Sequence, residues 1–190
     1  MQLKLTRDGL IDRSAEGFEL DFLFFWRPEP PTRKPLGPFV LSQWYEHPFV
    51  HEGDLYGSAE HLMMVKKAEL FGDFDTAEQI KTVVTPREAK ALGRQVRNFN
   101  EELWLQHRSQ IVESVSFAKF GSDDDLAEYL LSTGTHVLVE ASPHDRVWGI
   151  GLEDVHPDAR DPRRWPGENL LGFALMTVRD QLAGPFLGRD

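Results

Sequence analysis

The chain contains no cysteine. That excludes disulfides, thiolate metal sites and a thiol nucleophile, and it frees the fold from any dependence on an oxidising compartment. It also lacks an apolar run approaching the length of a membrane span, and its first residues, Met1 to Asp8, hold no apolar segment of the secretory kind. A cytoplasmic protein with no membrane partner is expected. Glycine-patterned motifs are missing as well: there is no Walker-type phosphate loop, no Rossmann fingerprint, no nucleophile elbow and no EF-hand loop. The seven histidines form no ligand pair at helical or strand spacing, so neither a metal nor a cofactor is expected. Basic residues are in deficit, 21 against 31 acidic, for a net charge of -10. Such a surface repels a phosphate backbone and disfavours non-specific binding to nucleic acid. A small anionic substrate remains compatible, because a few arginines in a pocket suffice for one phosphate.

What is present fits a single domain. The 190 residues are 41% hydrophobic, ordinary for a globular chain able to bury a core. Residues 1–17 alternate weakly and are expected to form a peripheral strand or hairpin, outside a main domain over 18–190. Phe18 to Trp26 reads as a strand. Arg27 to Pro38 holds five of the twelve prolines and is expected to be a loop. Short strand pieces are expected between Phe39 and Val50, with a turn at His51 to Asp54. Helices are predicted from Ser58 to Phe71, from Asp75 to Val83, from the capping box at Thr85-Pro86-Arg87-Glu88 to Arg97, from Asn100 to Phe120, and from Asp123 to Ser132. A strand over Thr135 to Glu140, a Pro-rich irregular segment from Asp154 to Gly167 and a helix over Asn169 to Leu182 complete the chain. The fold class is α+β, mainly helical, with a small sheet.

The richest stretch is Glu140 to Gly151. After an apolar strand it sets two carboxylates, a His, an Arg, an indole and two glycines into one loop. A merely connecting loop is built from small polar residues, and loops on a rigid scaffold are where binding and catalysis concentrate. Trp148 beside Gly149 offers a flat apolar wall; a Trp anchoring the strand end is the plainer alternative.

On the helix from Ser58, residues Glu60, Met63, Met64 and Lys67 share one face at i, i+3, i+4 and i+7. The Cα atoms of Glu60 and Lys67 are about 10 Å apart along the axis. A semi-apolar cleft and an ordinary Met-rich core face with a snorkelling lysine both fit that pattern. Arg87, Lys90, Arg94 and Arg97 form a basic stripe, a solvated face for most members. Arg94 differs because Gly93 beside it costs a helix about 1 kcal/mol relative to Ala and implies close approach by another element or a ligand. Asn169 stands where a helix cap would, next to backbone donors that could hold an anion, although a plain cap is equally consistent.

These segments, in this order, resemble the NADAR/YbiA-like family. The resemblance rests on Phe25-Trp26, Gly37 to Trp44, Ser58 to His61 through Lys67, Gly93-Arg94, Trp104, Ala118-Lys119-Phe120, Glu140 to Gly151 and Asn169 to Gly172, and it covers about residues 18 to 183. The chain departs from the family pattern at Gln43-Trp44, where members have Asn-Phe, and at Leu62, where they have an aromatic residue. The resemblance implies a mainly helical α+β domain that hydrolyses the N-glycosidic bond between a ribose-type sugar and an amino group on a base. The implied substrates are phosphorylated ribosylamino-pyrimidines of riboflavin synthesis or ADP-ribosylated guanine.

Cleaving a C1′–N bond builds positive charge on the sugar. Glu60 or Asp145 could stabilise that charge or activate water. Lys67 could attack the ring-opened sugar if burial lowers its pKa. Trp26, Trp44, Glu140, Trp148, Gly149 and Asn169 are the further candidates for substrate binding, and Arg94 suits a phosphate. Three functions stay open: an N-glycosidase for small ribosyl phosphates, an ADP-ribosyl-guanine hydrolase acting on nucleic acid, and a non-catalytic ADP-ribose reader.

Overall fold

The computed structural model describes residues 6–28 and 35–184. Half of the expected Pro-rich loop, 29–34, lies outside that range. Among the described residues, seven α-helices and four short strands follow one another in a mixed α+β architecture. The contacts gather into two compact units: residues 1–42 with 127–190, and residues 43–126.

In the first unit the strands β1 (Phe22–Phe25) and β4 (Val137–Glu140) pair in parallel, with Phe22 opposite Val137 and Phe25 opposite Glu140. Val137, Leu138 and Val139 are all buried, as expected of a short parallel strand covered on both faces. Helix α7 (Leu170–Ala183) covers β4 and buries Phe173, Ala174, Leu175, Met176 and Val178. The N-terminal segment corrects the sequence expectation. Residues expected as a strand or hairpin form helix α1 (Arg7–Ala15) instead. The Thr6 hydroxyl accepts from the Gly9 amide, Asp8 sits in the first turn and Arg13 in the last, so capping and dipole outweigh a weak alternation. Leu10 is fully buried, and Arg7 donates to the Trp165 carbonyl at 3.0 Å, which ties the helix to the 3-10 turn at Pro162–Arg164.

The second unit opens with the hairpin β2 (Phe49–His51) and β3 (Asp54–Tyr56), whose turn uses Glu52 and Gly53, both at positive φ. Its centre is helix α2 (Ala59–Leu70), buried on every side from Ala59 to Val65. Around it pack α3 (Phe74–Thr82), α4 (Pro86–Gly93) and α5 (Glu101–Gly121). The capping box at Thr85 and Glu88 is present as read. Helix α4 nevertheless stops at Gly93 rather than Arg97, because the chain turns there to let Arg97 bind the buried Asp73 carboxylate through both its backbone amide and its guanidinium. Arg97 also pairs with Asp75, so it is not part of a helical stripe. Asn98 adopts positive φ at the break before α5, which Asn100 caps through Leu103 N–H. Helix α6 (Asp124–Ser132) follows. Among the described residues no helix is long and apolar enough to cross a membrane.

Candidate active site

Helix α2 places Glu60 and Lys67 two turns apart, and both lie in the second unit. Glu60 is 1% exposed, and its backbone amide donates to the Gln43 carbonyl at 3.0 Å, fixing the start of the helix. Ser58 stands at the cap position but turns its hydroxyl to His61 Nδ1 at 2.8 Å instead of capping. Burial pushes the His61 imidazole below its ordinary pKa. His61 is thus a buried, side-chain-bonded residue next to Glu60.

The Glu60 carboxylate faces a lysine that the sequence pattern assigned to solvent. Lys90 Nζ lies 3.9 Å from Glu60 Oε1 and 5.4 Å from the centre of the Trp44 ring. Trp44, half-buried, therefore holds a cation on its face. Lys67 is held differently. Its ammonium donates to the Gly93 carbonyl at 2.7 Å and sits 4.7 Å from the Phe99 ring and 5.6 Å from the Trp104 ring. Desolvation lowers the Lys67 pKa most, the Glu60 charge opposes that shift, and Arg94 and Lys90 reinforce it. Arg94 ends α4 at its C-cap and is exposed. Gly93 answers the expectation of close approach: a Cβ there would collide with Met64 Sδ and Cγ, so the approaching element is α2.

The first unit carries the remaining candidates. Trp26 is half-buried, edge-on to His144 at 6.1 Å and under the Arg27 guanidinium at 5.0 Å. It lines a groove of about 400 Å³ together with Phe24, Phe39, Ala141 and Glu153. In the loop after β4, Asp145 Oδ1 accepts from the amides of Val147 at 2.9 Å and Trp148 at 2.8 Å. Asp145 thus shapes the turn that presents Trp148, itself half-buried. Gly149 is required by backbone crowding, since a Cβ would stand 2.7 Å from the Glu140 carbonyl oxygen.

One reading of this loop is corrected. The amides at the start of α7 were read as able to hold an anion, with a plain cap at Asn169 as the equal alternative, and the structure shows no side-chain cap there. They are taken: Glu168, Asn169, Leu170 and Leu171 donate to the carbonyls of Arg146, Gly149, Val147 and Trp148. Asn169, at positive φ and fully buried, accepts from the Glu140 amide at 3.0 Å and donates to the Leu138 carbonyl at 2.9 Å. Its side chain clamps α7 to β4.

Sequence reasoning missed Lys90, Phe99 and Lys119. Lys119 on α5 is wholly buried beneath the Tyr45 and Phe120 rings, and desolvation pulls its pKa down to about 7. Only its apolar neighbours in sequence, Ala118 and Phe120, hinted at that.

The helices and the two small sheets make a mixed α+β fold, and the comparisons agree with it. The chain belongs to the NADAR domain family, which matches residues 24–183. It is 41% identical over 155 residues to an N-glycosidase of Acanthamoeba polyphaga mimivirus, covering 79% of this chain and 91% of that one. It is 31% identical over 190 residues to the chloroplastic riboflavin biosynthesis protein PYRR of Arabidopsis thaliana, covering 92% of this chain and 29% of that one. The NMR structure of the E. coli protein YbiA superposes with a TM-score of 0.67 at 25% identity, covering 87% of both chains.

Proposed function

We propose that the chain is an N-glycosidase that hydrolyses the C1′–N bond between a phosphorylated ribose and an amino-substituted base, with ribosylamino-pyrimidine phosphates as its substrates. Family membership and the names of the relatives support the enzyme class, a hydrolase acting on N-glycosyl compounds. The observation that carries the mechanism is the buried Glu60 carboxylate beside Lys90, with Lys67 farther along the same helix.

As the C1′–N bond breaks, the electron pair leaves with the base nitrogen and the sugar carbon becomes cationic. A carboxylate excluded from bulk water stabilises that cation strongly, because its field is poorly screened. Glu60 then takes a proton from the water that adds to C1′ and passes it to the departing nitrogen, which gives the free sugar phosphate and the free amine and restores the carboxylate. Glu60 fits this role better than Asp145, one of whose carboxylate oxygens is engaged by two backbone amides. Lys67 offers a covalent route. Its amine adds to the ring-opened iminium at C1′, expels the base as its amine, and water hydrolyses the resulting imine.

The reading is tested by supplying a ribosylamino-pyrimidine phosphate and, separately, DNA carrying ADP-ribosylated guanine, and following the released base by chromatography. Release from the first is expected. Release from the second alone would replace this substrate class with ADP-ribosyl-guanine, and release from neither would leave a binding module.

A further inference from the structure

Three cations, Lys67, Lys90 and Arg94, lie on the two helices α2 and α4 and at the end of α4 in the second unit, and one of them, Lys90, stands 3.9 Å from the buried Glu60 carboxylate. Lys90 and Arg94 stand one turn apart on α4, and Lys67 bonds the carbonyl of Gly93, the residue before Arg94. Lys67 is close enough to feel the other three charges: Glu60 favours its charged form, whereas Arg94 and Lys90 oppose it. Glu60 is the only carboxylate that pairs with any of these cations within 4 Å among the described residues. Arg97, by contrast, is committed to Asp73 and Asp75. Three positive charges against one negative leave a surplus of two, on a chain whose net charge is -10.

Two ordinary causes account for part of this. Cations are favoured at a helix C-terminus, here that of α4, but the end of a helix is equivalent to only about half a negative charge. The Gly93 carbonyl and the aromatic rings stabilise Lys67 locally without neutralising it. More than one positive charge remains unbalanced: Lys67 and Lys90 are half-buried, where like charges repel more strongly than in water, and the exposed Arg94 stands one turn from Lys90. A phosphate monoester carries about -1.5 to -2 at neutral pH and matches the surplus.

We propose that Lys90, carried on the face of Trp44, is a substrate-binding residue that holds the phosphate monoester of the substrate together with Arg94, next to Glu60. The proposal rests on the N-glycosidase reading and extends it to the residue that selects phosphorylated sugars. Lysine suits the task because its flexible stem lets the ammonium move between the Glu60 carboxylate and an arriving phosphate. Trp44 holds the ammonium beside Glu60 against an apolar face.

The test needs no turnover. Binding of ribose 5-phosphate, ribose and ADP-ribose is measured by calorimetry on the wild-type chain and on Lys90→Met, Lys90→Gln and Lys90→Arg, with folding checked by circular dichroism. The wild type should bind ribose 5-phosphate at least tenfold tighter than ribose. Lys90→Met and Lys90→Gln should abolish that preference, and Lys90→Arg should keep most of it. Lys81→Met, which removes a lysine paired with Asp54 and Glu78, should leave it unchanged. The proposal is overturned if a folded Lys90→Met or Lys90→Gln retains the preference, if the wild type shows none, or if only ADP-ribose binds. Base release decides the N-glycosidase reading separately: a chain that releases base but ignores the phosphate sinks this proposal alone. One that holds the phosphate through Lys90 but releases no base sinks the enzymatic reading alone.

Discussion

Lys67 and Gly93 join two helices at one point, the Lys67 ammonium donating to the Gly93 carbonyl at 2.7 Å. The same glycine leaves the space that Met64 fills, so α2 and α4 touch through a hydrogen bond and a close apolar contact at one residue. Gly93→Ala puts a methyl group into Met64 Sδ and Cγ. Overpacking of this kind costs about 1–3 kcal/mol. Chemical denaturation should show a loss in that range, accompanied by weaker activity because the Lys67 anchor moves. Unchanged stability would mean that Met64 repacks freely and that the glycine is dispensable.

Glu60→Gln keeps the shape of the buried side chain and removes its charge. The rate of base release should fall by more than tenfold, at least about 1.4 kcal/mol of transition-state stabilisation. The fold should survive, since the backbone bond from Glu60 to Gln43 does not involve the carboxylate. A smaller effect in steady-state assays would take Glu60 out of the chemistry.

For Lys67, burial and two neighbouring cations favour the neutral amine while Glu60 favours the charged one, and the net shift is downward. A nucleophilic amine works only when deprotonated, so kcat/KM should rise with pH toward an inflection below the ordinary lysine value. Borohydride added during turnover should leave a reduced sugar adduct on Lys67, detectable by peptide mass spectrometry. Lys67→Met with full activity, and no adduct in the wild type, would assign the residue to holding Gly93 and nothing more.

Asn169→Ala removes both halves of the clamp between α7 and β4, leaving the Glu140 amide and the Leu138 carbonyl unpaired in the interior. Each such group costs about 1–3 kcal/mol. The left-handed backbone at this position adds to the loss, since Asn tolerates it better than Ala. The melting temperature should drop markedly. A variant with wild-type stability but weakened substrate binding would instead place Asn169 on the ligand.

Much of this architecture is legible in the sequence because local signals are strong. The Thr85–Glu88 capping box, the Asn100 cap, the glycine after α2 and the apolar strand at Val137 to Val139 each act through neighbours in the chain. The placing of Glu60 and Lys67 two turns apart on one helix was likewise legible from helical spacing. What the sequence hid depends on partners far away. Lys90 reads as one member of a solvated stripe until Trp44 and Glu60 are seen beside it. Gly172, whose Cβ would strike the Leu138 carbonyl, and Gly167, whose Cβ would strike the Gly149 carbonyl, mark a backbone crossing that spacing does not encode. That crossing is also why the amides before α7 are occupied. Helix α1 was misread because a short polar segment shows no clear period of either kind, and a single buried side chain, Leu10, docks it.

Lys119 yields a pH dependence whose sign follows from its burial. The group is fully buried and its pKa is pulled down from 10.5 to about 7, with desolvation as the cause. In the unfolded chain it keeps its ordinary value. Between about pH 7 and 10.5 the unfolded state therefore holds more of this proton than the folded state does. Stability contributed by this group must rise with pH across that window. Below the window both states are protonated, and the folded state bears a cost for burying the charge, eased by the contacts of the ammonium, the Tyr45 and Phe120 rings among them. Lys119→Met preserves length and flexibility and removes the titration. Urea denaturation of both proteins at pH 6.5, 8 and 9.5 should show the wild type gaining on the variant as pH rises, with the variant at least as stable at the lowest pH. A difference that stays constant across the series would mean that Lys119 keeps its ordinary pKa, its ammonium satisfied within the fold, and that the burial argument fails for this residue.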